Sequence, residues 1–229
     1  MTNLVEKHPN TRELQAAKLH EAIGQAERIT VEFGTGDMPL FESQDTQVFN
    51  AQNLYIGVNI DSNQHKFLAD KVEGIDGFAV LSEKDEEGHI EQLSLPDKSI
   101  DTVFMANVFG EPDSKHIMEP FKHADGLYKG NTDLNAKIAT LHEAKRLLKE
   151  GGRIVILENN TPYAAGFSGK FETMTTLLEQ AGFHVIDAIN QKSDNWEEIV
   201  SPFAKPVEWW SHGSYLVLAE KPYQEVSLN

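Results

Sequence analysis

The feature that most constrains this chain is the alternation of short β-branched runs with segments of helical period. Ile29 to Phe33, Leu54 to Ile60, Phe78 to Leu81, Ser99 to Ala106, Arg153 to Glu158, Phe183 to Ile186 and Ser214 to Glu220 each read as a strand. Thr11 to Ile23, a stretch from about Ser62 to Val72, Leu134 to Lys149 and Phe171 to Ala181 read as helices. Gly151-Gly152 and Gly182 stand where the last two should be capped. Strands separated by helices fold most simply into a doubly wound α/β domain, a mostly parallel sheet with helices on both faces. Ligands of such sheets sit outside the carboxyl ends of the strands, which directs attention to the loops after Phe33, Ile60 and Met105. A length of 229 residues without repeat or low-complexity linker suits one domain over 1–229, opened by a helical segment over 1–28.

The first of those loops lies in Val31-Glu32-Phe33-Gly34-Thr35-Gly36-Asp37-Met38-Pro39-Leu40. Gly34 and Gly36 permit backbone conformations and a ligand approach that a Cβ would block. A turn that feeds a helix also presents free N–H groups. Strand-then-GxG serves ordinary turn chemistry as readily as it serves a cofactor. The dinucleotide fingerprint needs a third glycine for close packing of helix on strand, and Pro39 occupies its place, which argues against NAD. Glu32, an acid at the edge of a buried sheet, is costly there unless paired or turned toward a ligand.

Glu32-Phe33-Gly34-Thr35-Gly36 after a β-branched strand resembles motif I of the class I S-adenosylmethionine-dependent methyltransferases, and further matches follow in order. Tyr55 to Asp61 is similar to the family's second-strand segment, and Leu93 to Val103 to its stretch entering strand four. His142 to Arg153 resembles its helix-to-strand-five segment, Leu177 to Phe183 its approach to strand six, and Tyr215 to Pro222 its last strand. The resemblance implies a seven-stranded sheet in the order 3-2-1-4-5-7-6 with an antiparallel last strand, and S-adenosylmethionine as cofactor. It also implies site residues. Glu32, Gly34, Thr35 and Gly36 would hold the methionine part of the cofactor, Asn59 and Ile60 its ribose and adenine. Glu91 and Gln92 align with the adenine-contacting acid, and Asn107 lies where the methyl group would be presented.

Two positions depart from the family pattern. Met38 stands where motif I carries a further glycine, and Asn59 where an acid usually accepts both ribose hydroxyls. An amide offers one carbonyl acceptor and a donor, so it cannot reproduce a bidentate carboxylate. Asp61, two residues on, reads as an N-cap for the next helix or as a substitute acceptor.

Residues 109–133 form too long a connection to be a plain turn, and Phe109, Ile117, Met118, Phe121 and Tyr128 suggest an inserted, packed lid over the substrate. His116 and His123 share a helical face by spacing, but no third ligand accompanies them, so no metal is expected. If a hydroxyl or amine is methylated, a base helps, and His116, His123 and Glu158 are the candidates. Trp209-Trp210 reads as core or a partner face.

Composition narrows the function classes. Twenty basic against 36 acidic side chains give a formal charge of −16, which repels phosphate backbones and sets RNA methylation behind other readings. The one dense basic cluster, Lys145-Arg146 with Lys149 and Arg153, reads as a solvated helix end placed favourably on its dipole. No segment approaches the roughly 18 apolar residues of a membrane span, and MTNLVEKHPNTREL lacks the pattern of a signal peptide. The absence of cysteine removes disulfides and thiolate chemistry and leaves the cytoplasm as the expected location. The expectation is therefore a cytoplasmic methyltransferase acting on a small or medium-sized molecule. A catalytically silent binding or interaction protein on the same scaffold is the alternative.

Overall fold

The computed structural model describes residues 19, 21–35, 53–58, 69–70, 77–81, 93–106, 108, 134–159, 171–190 and 214–223. Nine elements are complete within them: strands β1 (Arg28–Phe33), β2 (Asn53–Val58), β3 (Phe78–Leu81) and β4 (Ile100–Ala106), helix α1 (Leu134–Leu147), strand β5 (Leu148–Asn159), helix α2 (Phe171–Gln180), and strands β6 (His184–Asn190) and β7 (Ser214–Glu220). The segment 109–133 and Trp209-Trp210 lie outside the described residues; of the helix expected near 62–72, 69–70 is described and is helical, and of the N-terminal helix, 19 and 21–25 are helical.

The seven strands form one sheet in the order β3-β2-β1-β4-β5-β7-β6, as the resemblance implies. All neighbours are parallel except the pairs made by β7, which runs antiparallel to both β5 and β6. The central strands β1, β2 and β4 are largely buried on both faces, which explains why their sequences read as near-continuous apolar, β-branched runs, whereas the edge strands β3 and β6 are only partly buried. Val31, Phe33, Ile56, Val58, Val103, Met105, Ile154, Ile156 and Val217 pack on one face against Leu141, Ala144 and Leu147 of α1 and Met174, Leu177 and Leu178 of α2. Phe104, Ala106, Leu157, Ile189 and Leu216 form a second cluster, which alternation along the strands places on the opposite face.

The ends of α1 and α2 are closed in different ways. Gly182 takes a left-handed φ of 79°, its N–H reaches the Glu179 carbonyl, and the Phe183 N–H reaches Leu178, both at 2.9 Å. This is the glycine-capped helix end the sequence announces. Gly151-Gly152, by contrast, does not cap α1. The helix stops at Leu147, two residues before the expected Lys149, and Leu148 already pairs with Ile100. Its last carbonyls are satisfied from elsewhere in the chain: Lys98 N–H donates to Arg146 O and Ser99 N–H to Leu147 O. The buried Lys221 ammonium donates to Lys145 O at 2.9 Å and Leu148 O at 2.8 Å. A cation there also meets the negative end of the helix dipole. Gly151 instead turns the chain at φ 74°, where its N–H meets Lys221 O, while the Lys221 N–H meets Gly152 O.

The basic cluster near α1 is only in part the solvated helix end expected: Lys145 and Arg146 stand in the last turn and Arg153 is exposed, but Arg146, Lys149 and Lys145 each hold specific partners. Arg146 lies across the chain from Leu93 to Asp97. It donates to Leu93 O and Leu95 O at 3.0 Å, to both oxygens of the buried Glu143, and to Asp97. Glu143 Oε1 also accepts the Leu93 N–H at 2.7 Å. Bidentate bonding from Glu143 holds the Arg146 proton more firmly than usual, against opposing desolvation, and Asp97 adds to the effect. Lys149 pairs with Asp101 Oδ1 at 2.7 Å, and Asp101 Oδ2 accepts the Ile29 N–H at the start of β1. Lys145 donates to Ala181 O. Two of the matched motif segments, Leu93 to Val103 and His142 to Arg153, thus meet as one structural clamp at the amino end of the sheet.

Candidate functional site

The carboxyl ends of β2, β1 and β4 lie side by side in the sheet. β1 lies between β2 and β4, with Glu32 opposite Gly57 on one side and Phe104 on the other. Glycine at 57 leaves the place beside the Glu32 side chain without a neighbouring side chain. Glu32 is fully buried. Its Oε2 accepts a hydrogen bond from the hydroxyl of Tyr55, two residues earlier on β2 and itself buried. A carboxylate in such a position is costly unless polar partners compensate it, and Tyr55 is one of them.

β1 runs into a tight turn. Gly34 adopts φ 72°, a region that only glycine enters without strain. The N–H groups of Gly34 and Thr35 both point to Val58 O, at 2.9 and 3.2 Å. Thr35 is buried, and its hydroxyl donates to the same carbonyl at 3.4 Å. The turn is therefore anchored on the last residue of β2. A Cβ added at Gly34 would lie 3.1 Å from Val108 Cγ2, so the loop after β4 packs directly on the turn.

Val108 is held in turn by Glu158. This carboxylate, fully buried near the end of β5, accepts the Val108 N–H through Oε1 at 2.6 Å. Across the β5–β7 pair, Glu158 stands opposite Tyr215. Burial, and then the Glu158 charge, pushes the Tyr215 phenol well above its usual value. Charge-assisted bonds from carboxylate to backbone N–H are strong and short. Glu158, Val108 and Gly34 thus form a contact chain that ties the ends of β5, β4 and β1 together.

Of the residues singled out in the sequence, Glu32, Gly34 and Thr35 come together beneath one turn, and Glu158 reaches the same region through Val108. Gly36, Asn59, Ile60, Glu91, Gln92, Asn107, His116 and His123 lie outside the described residues, as do Met38, Pro39 and Asp61. Tyr55 and Val108 were not among the candidates. The register of two adjacent parallel strands would have brought Tyr55 within reach of Glu32, but Val108 carries no chemical signal of its own. None of the strand-end residues described here, from Phe33 and Val58 to Leu81, Ala106 and Asn159, is Lys or Arg. Among the described residues no three His, Asp or Glu side chains converge as a metal-binding set, and no helix is long and apolar enough to cross a membrane.

No protein-family model matches the chain, and no curated protein matches it in sequence. Solved structures do resemble it. A SAM-dependent methyltransferase from Aquifex aeolicus superposes with a TM-score of 0.55 at 17% identity, over 93% of this chain and 94% of that one. The cyclase SpnF gives 0.53 at 16%, over 90% and 81%. Geranyl diphosphate C-methyltransferase from Streptomyces coelicolor, whose structure contains Mg2+, geranyl diphosphate and S-adenosyl-L-homocysteine, gives 0.52 at 14%, over 92% and 79%. At these identities the likeness is one of architecture, and the strand order agrees with it. The chain has the fold of the class I S-adenosylmethionine-dependent methyltransferases.

Proposed function

We propose that this protein is a cytoplasmic S-adenosylmethionine-dependent methyltransferase acting on a small or medium-sized molecule. The observation that carries the reading is Glu32, a buried carboxylate directly beneath the Gly34 turn at the carboxyl end of the central strand. A negative side chain at a strand-end site free of Lys and Arg in its described strand residues suits a ligand that carries ammonium and sulfonium charges. It does not suit a pyrophosphate. The methyltransferases of the same fold, one of them with bound S-adenosyl-L-homocysteine, support the same cofactor.

In this reading Glu32, Gly34, Thr35 and Gly36 hold the methionine part of the cofactor, Asn59 and Ile60 its ribose and adenine, and Glu91 and Gln92 the adenine edge. Asn107, next to the anchored Val108, presents the methyl group. The bound cofactor supplies an electrophilic methyl carbon: the acceptor's lone pair forms the new bond, and the carbon–sulfur pair returns to sulfur. The protein's part is alignment and exclusion of water. Glu158 already accepts from Val108 and is buried, so we assign it to ordering the loop after β4. His116 and His123, in the lid-like segment 109–133, are then the candidates to take a proton from a hydroxyl or amine acceptor.

A second reading, a catalytically silent scaffold, draws on Asn59, whose amide cannot accept two ribose hydroxyls as an acid does. The cyclase SpnF illustrates that this fold is not confined to methyl transfer. Incubation of the purified protein with S-adenosylmethionine and a cytoplasmic small-molecule extract separates the two. Formation of S-adenosylhomocysteine above the protein-free control is the expected outcome. Its absence, in a protein that binds the cofactor, hands the function to the silent scaffold.

A further inference from the structure

Tyr55 opens the segment that resembles the family's second strand but carries no role there, yet it makes a specific polar contact to the acid at the centre of the site. It lies on β2 opposite Thr30, and Gly57 lies opposite Glu32. Alternation along the strands therefore puts the Tyr55 and Glu32 side chains on one face, with Tyr55 one pleat nearer the amino end. Its ring is 1% exposed and packs on Phe78, with centroids 5.0 Å apart at 33°. From that fixed ring the hydroxyl reaches along the sheet, past the missing side chain of Gly57, and donates to Glu32 Oε2.

A buried core phenylalanine would supply the same apolar packing at position 55. What tyrosine adds is one donor, and that donor is spent on one oxygen of a carboxylate in the site. A tyrosine has two side-chain torsions and a rigid ring, so the direction of its O–H is set by the packing on Phe78. The consequence is that the rotation of the Glu32 carboxylate about its own axis is fixed from below, by a neighbouring strand, before any ligand arrives. Preorganisation of this kind lowers the cost of binding a charged group.

We infer that Tyr55 is the positioning residue for the amino-acid end of the cofactor: it orients the Glu32 carboxylate toward the ligand's ammonium group. The inference rests on the cofactor reading above and gives Tyr55 a role that the family resemblance does not assign. Tyr55 itself touches no ligand in this account; it acts through Glu32.

The test compares S-adenosylhomocysteine with methylthioadenosine, which shares the adenosine and the thioether but lacks the amino-acid end. By titration calorimetry the native protein binds both. Tyr55→Phe weakens S-adenosylhomocysteine by about tenfold, the scale of one charge-assisted hydrogen bond, and leaves methylthioadenosine unchanged. Equal affinity of Tyr55→Phe and the native protein for S-adenosylhomocysteine overturns the inference. So does an equal loss for both ligands, since a purely structural tyrosine would disturb the whole pocket. If the native protein binds neither ligand, the cofactor reading falls and this inference with it.

Should Tyr55→Phe not fold, because it takes one donor from a buried carboxylate, Glu32→Gln and Glu32→Gln/Tyr55→Phe replace it. The single variant loses S-adenosylhomocysteine affinity selectively and the double variant loses no more. A further loss in the double variant that methylthioadenosine shares assigns Tyr55 to the scaffold and overturns the positioning role.

Discussion

The two ends of the sheet are built from different materials. At the amino end, cations do the joining: Arg146 spans Leu93 to Asp97, Lys149 reaches Asp101, Lys145 reaches Ala181, Lys221 closes α1 and pairs with Glu150, and Lys98 pairs with Glu150. At the carboxyl end, buried carboxylates do it: Glu32 takes the Tyr55 hydroxyl and Glu158 takes the Val108 N–H. The difference teaches how a chain of net charge −16 distributes its few cations. Among the described residues, Lys98, Lys145, Arg146, Lys149 and Lys221 are used where helices end and strands begin, against carbonyls and acids. At the carboxyl end, the described strand-end residues carry no Lys or Arg beside the buried Glu32 and Glu158.

This division predicts that stability and cofactor affinity separate by position. The largest effect on stability is expected from Arg146→Ala, which strands the buried Glu143 carboxylate and releases three loop contacts. A loss of about 3 kcal/mol in urea unfolding is expected, with the affinity of the remaining folded protein for S-adenosylhomocysteine unchanged. A parallel loss of affinity would erase the distinction between the two ends.

Gly34→Ala works in the opposite sense. Its Cβ meets Val108 Cγ2 at 3.1 Å and its φ of 72° is strained for alanine. Unfolding is expected to show a cost of about 1–2 kcal/mol. Affinity for S-adenosylhomocysteine should fall roughly tenfold, since that same strain also misplaces the turn. A variant that loses stability alone would show that the turn serves the fold and not a ligand.

Tyr215 sharpens the comparison at high pH. Burial raises its folded value, so the native state keeps the phenol proton after the unfolded chain has lost it. Its contribution is complete below the unfolded value of about 10, and it is lost as pH rises beyond that toward and through the folded value. Tyr215→Phe should cost about 1 kcal/mol or less at neutral pH and should flatten the alkaline decline of stability. An identical decline in both proteins would mean that Tyr215 does not report on the Glu158 end.

How much of this was legible follows from how far each partner lies along the chain. The Gly182 cap rests on a local pattern and the strand order on the family resemblance, and both are found as read. The end of α1 was not legible. Gly151-Gly152 looks like a local cap, but the true donors are Lys98, Ser99 and Lys221, each remote in sequence and brought in by the sheet. The partners of the basic cluster were hidden for the same reason, since Arg146 finds Leu93 and Asp97 about 50 residues away. β6 runs to Asn190, beyond the expected Ile186, because a register shift between Val185 and Asp187 breaks the alternation that marks a strand. Glu32 stood out as a costly acid, whereas its partner Tyr55 looked like any apolar strand residue until β1 and β2 were set side by side.

The central claim is that the carboxyl end of this sheet binds S-adenosylmethionine. Calorimetric titration of the folded protein with S-adenosylmethionine and then S-adenosylhomocysteine, with NAD as control, tests it most directly. Saturable binding of the first two in the micromolar range, about −8 kcal/mol, with no heat from NAD, is the predicted result. A folded protein that gives no heat with either adenosyl ligand, or that prefers NAD, would contradict the claim and return Glu32 to a purely structural role.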